Sequence, residues 1–505
     1  MRDLEAEIRR ERNPERLREM ATLALQANAK LSRELVRLKI EIAQLRGEDL
    51  ATLELELRFT NEQLAARNRA LFGPSSERRG SGASEVSEKR PKFPGHGPTS
   101  QPALPRMEQE HALEAADRRC PQCGGELEEM SGQFEESEEI DVLERSFRIV
   151  VQKRQKYRCR CGGCVKAAPG PPKLIPGGRY SIEFALEVAL GKYAYHLPLA
   201  RQVKQMRREG LEVTSQTLWD QLVGLEMWLE PSYQALGEYV LSSPVVGADE
   251  TRWRLMDRGK SRSWWVWSLT REDAVFYRLL SSRSTQAARD LLGDYQGIVM
   301  CDGYSAYSAL AKGPVHARAG PRIQLAHCWS HVRRKFLEAE PHYPEAGWML
   351  EQVGELYRIE REIREAEVLD RLAHTRERRQ ADSTPIVREI QSWLMEQRPL
   401  RKSALGRAVR YTAKIWPGLC RFLDDPRVPI DNNATEREMR TVALGRKNHH
   451  GSRSVHGTRV AGMFYSLIES AELAGVDPRA YLRTAVHRAI EHNGTVTLPH
   501  DLTER

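Results

Sequence analysis

Apolar residues along this chain change their spacing from one stretch to the next, and the changes mark out its elements. The first seventy residues, rich in Leu, Glu and Arg, read as helix. Leu31, Leu35, Leu38, Ile42 and Leu45 alternate four and three apart, which is a heptad seam. Leu50, Leu53, Leu57, Leu64 and Leu71 form a second seam, offset near Gly47. The offset predicts an interruption of the supercoil. A narrow stripe with charged flanks favours self-association; an amphipathic helix packed on its own chain is the other reading. From Gly73 to about Arg106, Gly, Ser, Pro and charge take over, the pattern of a flexible linker.

Ordered structure is expected to resume near Met107. The run Ile175-Pro-Gly-Gly-Arg-Tyr180 is a turn. Helices are predicted after it at about 181–193, 198–209 and 214–229, with Gly210 past the second and Ser215 placed to cap the third. Such a series resembles a helix-turn-helix, although many helical bundles look alike. Beyond Pro244 the period turns extended. Pro244–Ala248 is an apolar run ending in Asp249, and Ser263–Leu269 and Ala274–Leu280 favour strands. A helix over Thr285–Leu292, a run Ile298–Cys301 ending in Asp302, and a strand at Ile323–Ala326 follow. This order predicts a mixed sheet flanked by helices. From about 345 to 423 the chain is helical and charged, like an insertion, and a last helical stretch runs from Val460 to Ile490.

The predicted class is therefore multidomain α/β. Residues 1–72 read as a leucine-zipper-like coiled coil, 73–106 as linker and 107–175 as a zinc-binding ribbon. Residues 176–243 read as a helical DNA-binding bundle, 244–459 as a catalytic domain with its insertion, and 460–505 as a helical end. A length of 505 residues suits such a division, since domains hold roughly 100–200 residues each. Hydrophobic residues at 40% and charged residues at 29% fit a soluble, folded protein. The net charge of +8 leans toward a polyanionic partner. No apolar run approaches the ~20 residues that span a bilayer, and the N-terminus lacks an apolar signal core. Neither a membrane nor secretion is expected, so the predicted location is cytoplasmic.

Eight cysteines are too few for a disulfide scaffold, and five crowd into one region, which reads as metal binding. Cys120-Pro-Gln-Cys123-Gly-Gly is a knuckle, and Cys159-Arg-Cys161-Gly-Gly-Cys164 supplies more thiols. Zinc takes four soft ligands in a tetrahedron. Cys120, Cys123, Cys161 and Cys164 preserve the knuckle spacing, with Cys159 a spare or a competitor. Ordinary buried thiols are the bland alternative. Phe147 to Tyr157 alternates apolar and basic residues, as a ribbon strand should.

Three carboxylates stand out. Asp249 and Asp302 each follow an apolar run, and Asn433 can cap a helix that carries Glu436 in its first turn. Two Asp and one Glu around two magnesium ions form a recurrent phosphoryl-transfer site. Against it, Glu436 lies three residues after Asn433 and could close a capping box, and the two Asp could be solvated strand ends. Arg437, Arg440, Arg446, Lys447, His449, His450 and Arg453 surround the third carboxylate, as phosphate contacts or as a solvated basic face. His327 and His331 are one helical turn apart. A strand-to-helix junction near the active site, with Arg333, Arg334 and Lys335 following, is preferred there to a metal site.

The chain resembles the insertion-sequence-66 family of bacterial transposases over nearly its whole length. The likeness rests on Leu71-Phe72-Gly73-Pro-Ser-Ser-Glu77, the Cys-Pro-x-Cys-Gly-Gly knuckle and Lys192-Tyr193-x-x-His196-Leu197-Pro198-Leu199. It rests equally on Ala248-Asp249-Glu250-Thr251, Asp302-Gly303-Tyr304, Asp431-Asn432-Asn433-Ala434-x-Glu436-Arg437, Gly445-Arg446-Lys447-Asn448 and Tyr465-Ser466-Leu467-Ile468-Glu469. The resemblance implies an RNase H-like mixed sheet whose Asp, Asp, Glu triad maps onto Asp249, Asp302 and Glu436, with Mg2+ or Mn2+. It also implies a leucine zipper, a zinc finger and a C-terminal helical region. Glu250 should face away from the metals, because side chains alternate along a strand. The grouping Cys159, Cys161, Cys164 departs from the family pattern.

The expected activity is DNA transposition: cleavage at element ends, then attack of the 3′-hydroxyls on target DNA. Expected partners are end and target DNA, further copies of the chain through the N-terminal coil, and accessory proteins of the same element. Bound to DNA, the protein would sit on the nucleoid. The rival readings are an RNase H-fold nuclease without strand transfer and a non-catalytic DNA-binding regulator.

Overall fold

A computed structural model describes residues 50–72, 145–158, 164–257, 259–312 and 322–503, with a few isolated positions before residue 145. The zinc ligands Cys120, Cys123 and Cys161, their competitor Cys159, the linker and most of the first leucine seam lie outside the described residues.

At the centre is a five-stranded mixed sheet in the order β5-β4-β3-β6-β7. Strands β3 (Val245–Asp257), β4 (Lys260–Arg271) and β5 (Ala274–Leu280) form an antiparallel meander. The first hairpin closes between Asp257 and Lys260, with Gly259 at φ 76°, a left-handed backbone that glycine adopts without steric cost. Strands β6 (Gln296–Cys301) and β7 (Arg322–His327) run parallel to β3 and to each other. Parallel neighbours need crossovers, and helices supply them here.

β3 is longer than the sequence suggests. The apolar run ends at Ala248, but Trp253 and Leu255 continue the inward alternation, so Asp249 stands inside the strand rather than at its end. Pairing with β4 along the whole length satisfies the backbone there.

Alternation also separates two cores. On β6, Val299 and Cys301 join one cluster, while Ile298 and Met300 join the other. The first cluster lies under α2 (Ile182–Tyr193), α4 (Ser215–Leu241), α14 (Val455–Leu473) and α15 (Pro478–Glu491), so the packing has no seam at residue 243 or 459. The short α3 (Leu199–Arg208) sits between α2 and α4 in the chain. Helix α4 runs past the predicted end at 229 and through Pro231, because Tyr233, Leu236 and Val240 continue its buried stripe. Thr214, rather than Ser215, caps it: its side chain accepts the N–H of Thr217. Helix α14 covers the sheet edge, where Ser466 Oγ accepts Tyr277 N–H at 2.7 Å and Ser470 Oγ accepts Val275 N–H at 3.0 Å. An open edge strand is thereby blunted.

The second cluster belongs to the helical insertion. It joins α7 (Trp329–Ala339), α8 (Ala346–Glu365), α10 (Thr384–Glu396) and α11 (Ala404–Leu419) to the opposite face of β6 and β7. Between α8 and α10 lie α9 (Arg371–Arg378) and one π turn, Arg379–Ser383. Crossover helices α5 (Thr285–Leu292) and α6 (Ser305–Ala311), the short α12 (Arg421–Asp424) and α13 (Asn433–His449) complete the unit.

The second leucine seam forms α1 (Leu50–Phe72), and its described side chains pack on this chain's own insertion. Leu57 is buried, and Glu62 accepts the backbone N–H of Ala404 at 2.8 Å and meets Arg407 at 3.0 Å. Arg58 pairs with Glu345 at 3.1 Å. The ribbon strand expected over Phe147–Tyr157 is reduced to a short hairpin, β1 (Lys156–Arg158) with β2 (Val165–Ala167). Ile149, Val150 and Val151 before it are exposed and have no partner strand among the described residues. No helix among the described residues is long and apolar enough to cross a membrane.

Candidate active site

The parallel register of β3 and β6 brings the two aspartates together. Val245 pairs with Ile298 and Gly247 with Met300; two residues further along each strand stand Asp249 and Asp302. Both have the parity of Ile298 and Met300, which face the insertion. Asp302 follows β6 directly, and Gly303 at φ 86° turns the chain so that Tyr304 N–H donates to Asp302 Oδ1 at 2.9 Å.

Helix α13 brings the third carboxylate. Its first turn lies against β3 and β4: Asn432 Nδ2 donates to the carbonyl of Ala248 at 3.1 Å, and the hydroxyls of Thr435 and Thr270 are 2.6 Å apart. The close approach depends on Gly247, since a Cβ there would lie 2.0 Å from Thr435 Oγ1. The cap position falls on Asn432, one residue earlier than expected, and Asp431 Oδ1 receives Asn433 N–H at 3.0 Å. No capping box closes on Glu436. Its Oε1 is buried and has no hydrogen-bond partner among the described residues. The nearest cationic groups are His331 Nδ1 at 3.6 Å and Arg334 Nη2 at 3.8 Å.

Electrostatics follow from this convergence. Burial pushes the Asp249 carboxyl up to about 7, and the charges of Asp302 and Glu436 push the same way. Glu250, its neighbour, points to the other face, as alternation requires. It is nearly fully buried and pairs with Arg283, whose Nε donates at 2.8 Å. Arg283 in turn lies 3.9 Å over the Tyr304 ring and 5.0 Å over that of Trp265. Burial raises Glu250 to about 7 despite this partner. Arg283 therefore ties the Asp249 strand to the Asp302 turn, a link that no sequence spacing indicated.

The junction expected at His327–His331 is present: β7 ends at His327 and α7 begins at Trp329. The two histidines part company, however. His327 is buried with Nδ1 3.5 Å from the carbonyl oxygen of Cys301. It is Cys328 that joins His331 and Glu436, with one ligand atom of each within 4.8 Å of the others. The Cys-x-x-His spacing at a helix start was the available signal. Of the basic residues, Arg437, Arg440 and Lys447 are exposed along one side of α13, three and seven apart. Arg446 turns inward and donates to Thr251 Oγ1 at 3.1 Å and to the carbonyl of Arg252.

Residues 177–460 match the family model described as transposase IS66 family. The chain belongs to that family. Residues 117–162 match the zinc-finger binding domain of transposase IS66, a stretch that holds Cys120, Cys123, Cys159 and Cys161 and ends before Cys164. This supports zinc as the metal of the cysteine segment; Cys164 itself is exposed. The chain is similar to uncharacterized proteins of Sinorhizobium fredii (strain NBRC 101917 / NGR234). It is 33% identical to protein y4jD over 76% of this chain and 77% of that one. It is 27% identical to protein y4hP over 92% of this chain and 86% of that one. For this family member, the matched stretch takes in Asp249, Asp302 and Glu436 together with the sheet that carries them.

Proposed function

We propose that the chain is a DNA transposase that cuts the ends of its element and joins the freed 3′-hydroxyls to target DNA. The observation that carries this reading is the convergence of Asp249, Asp302 and Glu436, with Asp249 pushed up to about 7 and Glu436 Oε1 left without a partner. Gathering carboxylates on a half-buried surface is unfavourable until cations offset them. The donor set is hard oxygen, which fits Mg2+ or Mn2+. Bound there, divalent ions would supply a nucleophilic oxygen at neutral pH and stabilise the leaving oxygen.

The protein's own part is placement. Asp249 and Asp302 are held on adjacent strands of an RNase H-like sheet, and Glu436 is held by a helix pinned to that sheet through Thr435 and Asn432. Arg437, Arg440 and Lys447 would contact phosphates beside the cut. The ribbon, with Cys120, Cys123 and two of Cys159, Cys161 and Cys164 on zinc, and the helices after it would recognise element ends on nucleoid DNA in the cytoplasm. The N-terminal leucine seam would pair protomers so that both ends are held.

The test is a reaction of the full chain with pre-cut element-end DNA, target DNA and Mg2+. Joined products are expected, and Asp302→Asn should abolish them. Nicking without joining would replace this reading by a hydrolytic nuclease. Binding with neither reaction, in a folded protein, would favour a DNA-binding regulator.

A further inference from the structure

At the far end of α13, away from the carboxylates, α2 and α14 close on the helix around a group of hydrogen-bond donors. Lys192, near the end of α2, is largely withdrawn from water, and this pulls its pKa down to about 8. No acceptor for its ammonium is found among the described residues, and its nearest ring is that of Tyr193, 5.3 Å away. His196 follows with φ 56°, and its Nδ1 is buried without a hydrogen-bond partner. His450, closing α13, has φ 63°. These are the only non-glycine residues with positive φ among those described, and both belong to this group. Left-handed backbone is costly for such residues and gathers at functional positions.

The group converges on one point. A Cβ at Gly445 would lie 2.0 Å from Tyr465 Oη, 3.1 Å from His449 Nε2 and 3.2 Å from His196 Nδ1. His449 belongs to the frame. Its Nδ1 accepts Gly451 N–H at 3.4 Å, which puts the proton on Nε2, 3.1 Å from Tyr465 Oη. The Tyr465 hydroxyl hydrogen is then uncommitted.

Acids nearby do not balance Lys192. Glu226 is taken by His456 at 2.5 Å and Arg459 at 3.7 Å. Glu469 accepts from Thr441 at 3.1 Å, and burial pushes it up to about 8. Donors without acceptors suit an anion. Lys447 and Asn448 are exposed on the same end of α13, and the exposed ring of Tyr195 stands beside His196 in the chain.

We propose that Lys192, His196 and Tyr465 form a seat for one phosphodiester of the DNA backbone. The proposal rests on the transposase reading and adds a second anchor to it. About 20 Å of helix separates the seat from Glu436 at ~1.5 Å per residue. That is roughly six base pairs at ~3.4 Å each, so the seat would hold the duplex well away from the scissile phosphate. It would fix the angle at which DNA crosses the carboxylates.

The test uses the full chain and an element-end duplex, with affinity followed by fluorescence anisotropy over a salt series. Lys192→Gln should weaken binding several-fold and lower the slope of log K against log salt by about 1. Lys192→Arg should restore both. His196→Asn tolerates the left-handed backbone and provides a second variant should Lys192→Gln melt early. An unchanged slope and affinity in folded Lys192→Gln and His196→Asn would overturn the proposal. So would inorganic phosphate raising the melting temperature of the unsubstituted chain, but not of Lys192→Gln, while DNA binding is the same in both. If the unsubstituted chain itself shows no salt-dependent DNA binding, the transposase reading fails first.

Discussion

At its start α13 carries Glu436 toward Asp249 and Asp302; at its end it carries His449 and His450 toward Lys192 and His196. Each end gathers charge of one sign without enough of the other. The acidic end has Arg334 and His331 at the edge of ion-pair distance, and the basic end has no committed acid at all. Both arrangements agree with the helix dipole, which favours acids in the first turn and bases in the last. Dipole energies of this kind are small, typically 0.3–1 kcal/mol. They do not account for buried charges left unpaired. What the contrast teaches is that α13 is strung between two ligands of opposite sign, a cation at one end and a backbone phosphate at the other. Two glycines make this possible in the same way. Gly247 admits Thr435 at the acidic end, and Gly445 admits Tyr465 at the basic end.

The sharpest break is at Glu436. Glu436→Gln keeps the shape but not the charge, and no capping role is at stake because the cap position is Asn432. Mg2+-dependent cleavage should fall on the order of 10²–10³-fold, with the melt and the salt slope unchanged. Near-normal cleavage by a folded variant would remove Glu436 from the triad and direct attention to Asp431 or Glu438.

A smaller effect should come from the two glycines. Gly247→Ala would put a methyl 2.0 Å from Thr435 Oγ1 and 2.5 Å from Thr270 Oγ1. Overpacking of this kind costs about 1–3 kcal/mol, read as a lower melting temperature. Cleavage should suffer more than DNA affinity. Gly445→Ala should reverse that order, because its methyl would meet Tyr465 and His196. Identical profiles for both variants would mean that the helix moves as one body and that the ends are not separable.

The smallest change belongs to the middle of the helix, where Thr441 donates to Glu469. Burial, helped by the charge of Glu472, pushes Glu469 from 4.5 up to about 8. The folded chain therefore keeps a proton that the unfolded chain releases, and stability falls as pH rises from about 4.5 to about 8. Glu469→Gln removes that slope. Its melting temperature should match the unsubstituted chain near pH 4.5 and exceed it by a few degrees above pH 8. Equal melts at both would show that Glu469 is not held protonated.

Much of this was legible in one dimension. The apolar runs before Asp249 and Asp302, the change from extended to helical period, and the strand-to-helix junction at His327–Trp329 all appear where periodicity placed them. Local pattern suffices there because burial of one face dictates spacing. The extent of β3 was hidden, because Glu250, Arg252 and Arg254 break its apolar run, and only pairing with β4 keeps that segment extended. Helix α4 continued through Pro231 because its packing outweighs the lost hydrogen bond. The second leucine seam read as readily for self-association as for internal packing, since a stripe says nothing of what it meets.

The sequence by itself determined which residues carry the chemistry: the carboxylates, the thiols, the basic ridge and the order of strands around them. Those follow from residue type, spacing and the periods of helix and strand. Tertiary structure alone decided which of them meet. It set Asp249 level with Asp302 through a parallel register, replaced His327 by Cys328 beside His331, and turned Arg446 inward. It also brought Lys192 and His196 of one segment against Gly445 and Tyr465 of another. Contacts between residues hundreds of positions apart depend on how whole faces pack, and no local spacing encodes that.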